Sequence, residues 1–333
     1  MLPLPLPLIR VLDLTTSLAG AAASRSLADF GAEVIVVERP GVSRDAVERF
    51  GRNKFSCVID ASTAEGRDLL LRLAAGCHVV LKDGSDQALQ GRLDYGALRG
   101  VRQDVVLGVI EADGEQTGIS DVVAGAVMTA LFHVRFRGQG QEVLISSSTA
   151  ANSMRTAPIV AATTGATRLT LELPPSGCYA CSGGSIAVVV RSLEELAVLC
   201  EVVGGRPPSD AAVPDETLRA AVADWMARHD ARAAAAELNR RGIPAQEVLS
   251  TAKASLRHDP HLRARGVFEA IASHQGVLET DGPRLRFSET PLHTRLVAPA
   301  QGEHTGYVLR GLAGLSDAEI ASLTAAGVVS GET

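Results

Sequence analysis

The sequence predicts an α/β protein built on a mostly parallel sheet covered on both faces. Three observations carry this. Between residues 8 and 147, six short runs rich in Val, Ile and Leu alternate with stretches whose apolar residues recur at helical spacing. These runs are apolar on both sides, as strands buried on two faces are. The 333-residue chain, 46% hydrophobic, also has enough apolar material for a large core.

In chain order, the predicted strands are IRVLDLT (9–15), AEVIVVE (32–38), FSCVID (55–60), HVVLK (78–82), DVVLGVI (104–110) and EVLISS (142–147). Helices are predicted at AAASRSLADFG, TAEGRDLLLRLAAG and DVVAGAVMTALFHVRF, the second opened by a capping box of Ser62 and Glu65. After about residue 150 the pattern changes. A polar stretch containing Thr and Pro (155–177) reads as a linker. The strand SIAVVV follows, then the helices SLEELAVLCEVVGG, ETLRAAVADWMARH and ARAAAAELNRRG, the last stopped by Gly242 and Pro244. This segment reads as a smaller α/β domain. A Pro-rich stretch near 280–300 leads to a final helix capped by Ser316 and Glu319.

Composition excludes several functions. A net charge of −6 argues against nucleic acid or an anionic membrane as the main partner, since either selects a basic surface. The start, MLPLPLPLIR, has no basic residue ahead of its apolar stretch and carries three prolines, unlike a signal peptide. No run reaches the roughly 18 apolar residues that cross a bilayer, so a cytoplasmic protein is expected. Five cysteines, an odd number, make no disulfide framework. Cys178 and Cys181 form a C-x-x-C without the second ligand pair of a zinc site or the helix-opening position of a redox site. His258 and His261 lack an acidic or Cys partner at metal spacing, and no metal is expected. The serines 146–148 lack the G-x-S-x-G elbow. The first strand-helix-strand unit ends at Glu38 like a dinucleotide fold, but Thr16-Ser17-Leu18-Ala19-Gly20-Ala21 holds one glycine where G-x-G-x-x-G is required.

One carboxylate stands out. In TGISDVVAG, Asp121 precedes an apolar helix that reads as buried almost all round. Asp is a favoured helix cap, which is the plain reading. A carboxylate in that first turn would also face the positive end of the helix dipole, as suits an anionic nucleophile. On chemistry alone both readings stay open.

The segments VLDLTTSLAG, LADFGAEVIVVERPG, RNKFSCVID, LDYGAL, SDVVAG, RGQGQEVLIS, GIPAQEV, DPHLRARGVF, PRLRFSETP and GEHTGYVLRGLAGLSDAEIASLTAAGVV, taken in order, resemble the class III CoA-transferases. That family includes formyl-CoA and carnitine CoA-transferases and α-methylacyl-CoA racemase. The resemblance implies a large Rossmann-like α/β domain from both chain ends (1–165 and 275–333) around a small domain (178–265), and an interlocked homodimer. It implies that Asp121 attacks an acyl-CoA thioester, with coenzyme A as substrate and a carboxylic acid as acceptor. It places CoA contacts at Leu18 and Ala19, at Arg39, at Arg52 and Lys54, and at Ile59, Asp60, Ala61 and Ser62. Asp83 and Gly84 stand in the turn that usually reads E-N-F-x-P-G; here it is Lys82-Asp83-Gly84-Ser85-Asp86-Gln87, without the Asn and Phe.

Other departures are equally specific. Ala21 replaces a proline, and Phe55 replaces the second basic residue of a K-R pair. The segment of several tens of residues expected before Asp121 is reduced to a few. No His lies between His78 and Asp121, so a two-base racemase mechanism lacks one base. The reading is therefore a shortened CoA-transferase-like enzyme, the alternatives being a repurposed acyl- or proton-transfer enzyme and a catalytically silent binding homologue.

Overall fold

The computed structural model describes residues 4–86, 89, 93–111, 117–154, 173–206, 216–249, 256–273 and 276–332. All six predicted strands form: β1 (Arg10–Asp13), β2 (Glu33–Glu38), β3 (Lys54–Ile59), β4 (Val79–Asp83), β5 (Val106–Glu111) and β6 (Gln141–Ser146). They pair in parallel, and β12 (Val329–Ser330) adds antiparallel to β3. Among the described residues the sheet runs β12-β3-β2-β1-β4-β5-β6.

Side chains alternate across a strand, so each strand feeds two cores. Leu12, Ile35, Val37, Val80 and Leu107 pack with Leu70 and Leu73 of α3 (Ala64–Ala75) and with Val308 and Leu309 of the helix Thr305–Gly311. Val11, Val34, Val79, Leu81 and Val106 pack with Leu27 of α1 (Leu18–Asp29) and with Val127 and Ala130 of α5 (Ser120–Arg137). Close approach is built in: a Cβ at Gly108 on β5 would lie 2.6 Å from the Leu81 side chain.

Local differences from expectation have local causes. Asp60 Oδ1 accepts both the N–H and the O–H of Ser62, so Ser62 is held in an Asx turn and Thr63 caps α3 instead, accepting the Gly66 N–H. Ser147 begins α6 (Ser147–Met154) rather than ending β6. The Ser316–Glu319 capping box is present in both directions. The short helices α2 (Asp45–Phe50) and α4 (Tyr95–Val101) escape the periodicity reading.

The chain divides into two compact units, Met1–Arg155 with Gly266–Thr333, and Thr156–Arg265. The first also holds the hairpin β10 (Phe268–Ser273) and β11 (Gly276–Asp281). The second is an antiparallel sheet of β7 (Gly177–Cys181), β8 (Gly184–Val188) and β9 (Ala245–Val248). Its helices Leu193–Val203, Glu216–Ala227 and Ala231–Arg240 contribute Leu199, Val222, Met226 and Leu238 to a core with Ile186 and Val188. Most of the predicted linker, 155–172, lies outside the described residues. Cys178 and Cys181 are three apart on β7, which puts their thiols on opposite faces, and both are free.

Two histidines tie the large unit to pH. His78 Nδ1 accepts the Arg10 N–H at 3.1 Å, and His304 Nδ1 accepts the Ser56 N–H at 3.3 Å. Burial holds both below the ordinary 6.5, with Arg102 adding to the effect at His78. Below pH 6.5 the unfolded chain therefore binds protons that the folded chain refuses, and the stability present above that pH is lost as pH falls through the lowered values. The thermal midpoint is expected to fall less between pH 7.5 and 5 in a His78→Gln, His304→Gln double variant than in the parent. An equal fall would assign acid sensitivity to other groups.

Candidate active site

Strand order reverses between β1 and β4, and an open α/β sheet leaves its crevice at the carboxyl ends of the strands there. Loops carrying most candidate CoA residues converge on that edge. Leu18 and Ala19 open α1 after β1, Arg39 follows β2, Asp60–Ser62 follow β3, and Asp83 ends β4 with Gly84 in the turn after it.

These loops are tied to one another. Asp83, 5% exposed, accepts the N–H groups of Thr16 (2.7 Å) and Ser17 (3.0 Å) through Oδ2 and the Ser17 hydroxyl through Oδ1. Ser17 in turn caps α1 by accepting the Gly20 N–H. The Arg39 guanidinium forms a two-point pair with Asp86 and donates to Leu14 O at 3.1 Å. The turn that departs from the family pattern thus supplies two carboxylates, Asp83 and Asp86, which occupy backbone N–H groups and a guanidinium. Ile59 and Ala61 are buried. The Ser62 O–H and N–H hold the Asp60 carboxyl below the usual range.

Arg52 and Lys54, expected as ligand-facing cations, lie inside. Arg52 pairs with Asp29 (Nη2–Oδ2 2.6 Å) and donates to Asp281 O. The Lys54 ammonium, 1% exposed, donates to Ser24 Oγ (2.7 Å), Ala21 O (2.9 Å) and Asp13 Oδ2 (3.2 Å). Burial pushes the Lys54 pKa below 10.5, against the opposing pull of Asp13. Asn53 between them adopts φ 62°, a left-handed conformation that Asn tolerates. Its side chain donates to Asp29 and accepts from the N–H groups of Arg295 and Leu296. The Arg-Asn-Lys run therefore fastens α1 and the C-terminal segment to the sheet.

Asp121 does not cap α5. A 3₁₀ turn, Thr117–Ile119, runs into the helix, the cap position Ile119 is already helical (φ −87°, ψ −5°), and no side chain caps it. The carboxylate sits in the first turn, 71% exposed. Nor is α5 buried all round. Val123, Ala124, Val127 and Ala130 face inward, while Val122, Phe132 and Phe136 are 40%, 67% and 70% exposed. Apolar residues on every face had suggested full burial; only one stripe meets the sheet.

A cavity of about 440 Å³ lies beside this first turn, between α1, α5 and the returning segment 283–292. Its polar lining is Arg25, Ser26, Asp29, Asp121 and Arg284, and the remaining walls include Phe30, Met128, Leu285 and Leu292. Arg284 Nη2 stands 3.9 Å from Asp121 Oδ1. None of the candidate CoA residues lines this cavity, although Ala19 shares an apolar cluster with Ile119 and Val123. Sequence reasoning missed Arg284, because nothing in local spacing links residue 284 to residue 121. Among the described residues no cluster of His, Cys, Asp and Glu is placed to hold a metal, and no helix is long and apolar enough to cross a membrane.

The family model for CoA-transferase family III matches residues 6–121 and 115–305. The two matches overlap at 115–121, a stretch that ends on Asp121 in the first turn of α5. Succinyl-CoA–D-citramalate CoA-transferase of Chloroflexus aurantiacus is 27% identical, with 98% of each chain covered. Formyl-CoA:oxalate CoA-transferase of Rhodopseudomonas palustris is 23% identical, with 96% of each covered. The first alignment runs over 403 positions against 333 residues here, so that relative carries segments this chain lacks. Among solved structures, a CaiB/BaiF family protein from Brucella suis superposes with a TM-score of 0.75 at 21% identity, covering 93% of this chain and 99% of that one. Rv3272 of Mycobacterium tuberculosis gives 0.73 at 20%, covering 93% and 100%.

Proposed function

Because the chain belongs to CoA-transferase family III, we propose that this transferase moves CoA between an acyl-CoA thioester and a carboxylic acid, with Asp121 as acyl acceptor. The Asp121 carboxylate adds to the thioester carbonyl and expels CoA thiolate, leaving a mixed anhydride. The thiolate then attacks the aspartyl carbonyl, which releases the first acid and forms an aspartyl-CoA thioester. An acceptor carboxylate attacks that carbonyl, giving a second anhydride and thiolate. Finally the thiolate takes the new acyl group and restores Asp121. Covalent division of the exchange replaces one difficult displacement with easier ones.

The observation that carries this reading is the position of Asp121. It is a solvent-reachable carboxylate that caps nothing, on a cavity, at the end of one family match and within the other. CoA would lie along the carboxyl edge of β1, β2 and β4, near Leu18, Ala19, Arg39 and Gly84. Arg39 must then exchange Asp86 for phosphate, a contact that guanidinium geometry favours. Asp86→Asn is expected to tighten CoA binding several-fold by titration calorimetry. Weaker or unchanged binding would place the nucleotide elsewhere. The exposed face of α5, with Leu144 of β6 at 62% exposure, supports an interlocked homodimer as the assembly. The protein would act in the cytoplasm.

A second reading, a silent homologue that binds a CoA thioester without turnover, is favoured by the shortened chain and by the carboxylates of Asp83 and Asp86 at the nucleotide edge. Intact-mass analysis after mixing with an acyl-CoA separates the two. Transfer gives a covalent acyl or CoA adduct that Asp121→Asn lacks. Binding alone gives affinity without an adduct.

A further inference from the structure

We infer that the cavity beside Asp121 is the acceptor-acid pocket and that Arg284 is its carboxylate-recognising residue, exchanging Asp121 for the substrate when the aspartate is acylated. This rests on the proposed role of Asp121. Arg284 Nη2 is 3.9 Å from Asp121 Oδ1, close enough to attract it but too long for a hydrogen bond, and the guanidinium is 72% exposed. It is therefore a cation at the cavity mouth whose partner among the described residues is a loose one. Acylation converts the Asp121 carboxylate into a neutral anhydride or thioester and removes the negative charge that competes for Arg284. The guanidinium is then free to make a two-point contact with an incoming carboxylate, beside the carbonyl that this carboxylate must attack. The aspartate's own charge state thus controls when the acceptor binds.

The walls define the substrate class. Behind Arg284 the cavity is lined by Phe30, Met128, Leu285 and Leu292, and its volume of about 440 Å³ falls in the range of small-molecule sites. The inner cation, Arg25, is paired with Asp281 at 2.6 Å and lies 3.8 Å from Asp29, so it offers no second carboxylate site. An acid with one carboxylate and a hydrocarbon body fits this lining. A short dicarboxylate would bring its second charge into a lining where Asp29 repels it, Arg25 is already committed to Asp281 and the other walls are largely apolar.

The test uses Asp121→Asn as a stable mimic of the neutral, acylated state, with octanoate and succinate as probes in titration calorimetry. Octanoate is expected to bind Asp121→Asn at least tenfold more tightly than the parent. Adding Arg284→Gln should abolish that gain, Arg284→Lys should keep part of it, and succinate should bind more weakly than octanoate throughout. The inference is overturned if octanoate binds both forms alike, if Arg284→Gln leaves the gain intact, or if succinate is preferred. These readings need no turnover. Absence of the acyl adduct in the parent would count against Asp121 as nucleophile, whereas the calorimetry reads the pocket alone. In the active parent, Arg284→Gln should raise KM for the acceptor acid by a larger factor than it changes KM for the acyl-CoA.

Discussion

Asp121→Asn is expected to lower CoA transfer roughly 10⁴-fold or more, the scale on which loss of a covalent nucleophile is felt, and to eliminate the acyl adduct. The structure makes this a clean substitution. The side chain is 71% exposed, makes no capping bond, and has its ion-pair contact with Arg284 at a loose 3.9 Å. Exposed changes of this kind shift stability by about 0.5 kcal/mol or less, so the variant should melt with the parent. Asp121→Glu should retain part of the activity, because the nucleophile survives and only its placement changes. Steady-state transfer and intact mass, measured on the same samples, check both expectations. Undiminished turnover in Asp121→Asn would remove Asp121 as the nucleophile and leave a repurposed enzyme that transfers without it, whereas no turnover in the parent would leave the binding-only reading.

The parallel sheet was legible because its strands are apolar on both faces and short, a pattern that few other structures share. Val11 and Leu12 are adjacent in sequence, yet each enters a different core, which is what a continuous apolar run encodes. The helix at Asp121 was legible in extent but not in burial. Periodicity reports which faces are apolar, and α5 is apolar on most of them. It does not report whether the same chain covers them, and Phe132 and Phe136 are left uncovered.

The site was legible where the chemistry is local and illegible where it depends on pairing across the chain. Asp83 reads as a loop acid, but its partners Thr16 and Ser17 lie 67 and 66 residues earlier. The family resemblance places Arg52 and Lys54 among the CoA contacts, as cations facing an anionic ligand. Asp29 and Asp13, their partners 23 and 41 residues away, turn them into interior ties. Arg284 lies on a segment marked only by its resemblance to the family, and its proximity to Asp121 emerges once the C-terminal segment returns beside α5.

The second large effect concerns that interior. Lys54→Met is expected to destabilise the protein by about 3–5 kcal/mol, the scale of removing one partner from a buried ion pair. Asp13 is wholly buried and accepts from the Thr15 N–H and hydroxyl and the Ser24 hydroxyl. With the ammonium gone, its charge would face only these neutral donors, while Ala21 O and Ser24 would each lose a partner. Much of the loss is the cost of a stranded carboxylate rather than the net worth of the pair, since burial opposes the charged lysine from the outset. Asp13→Asn combined with Lys54→Met should therefore be more stable than the sum of the single variants predicts, by about 1 kcal/mol or more. Urea unfolding of the four proteins measures that coupling. Strict additivity would mean that Lys54 acts through packing of its hydrocarbon stem, and that the ion pair between β1 and β3 contributes nothing to holding the sheet.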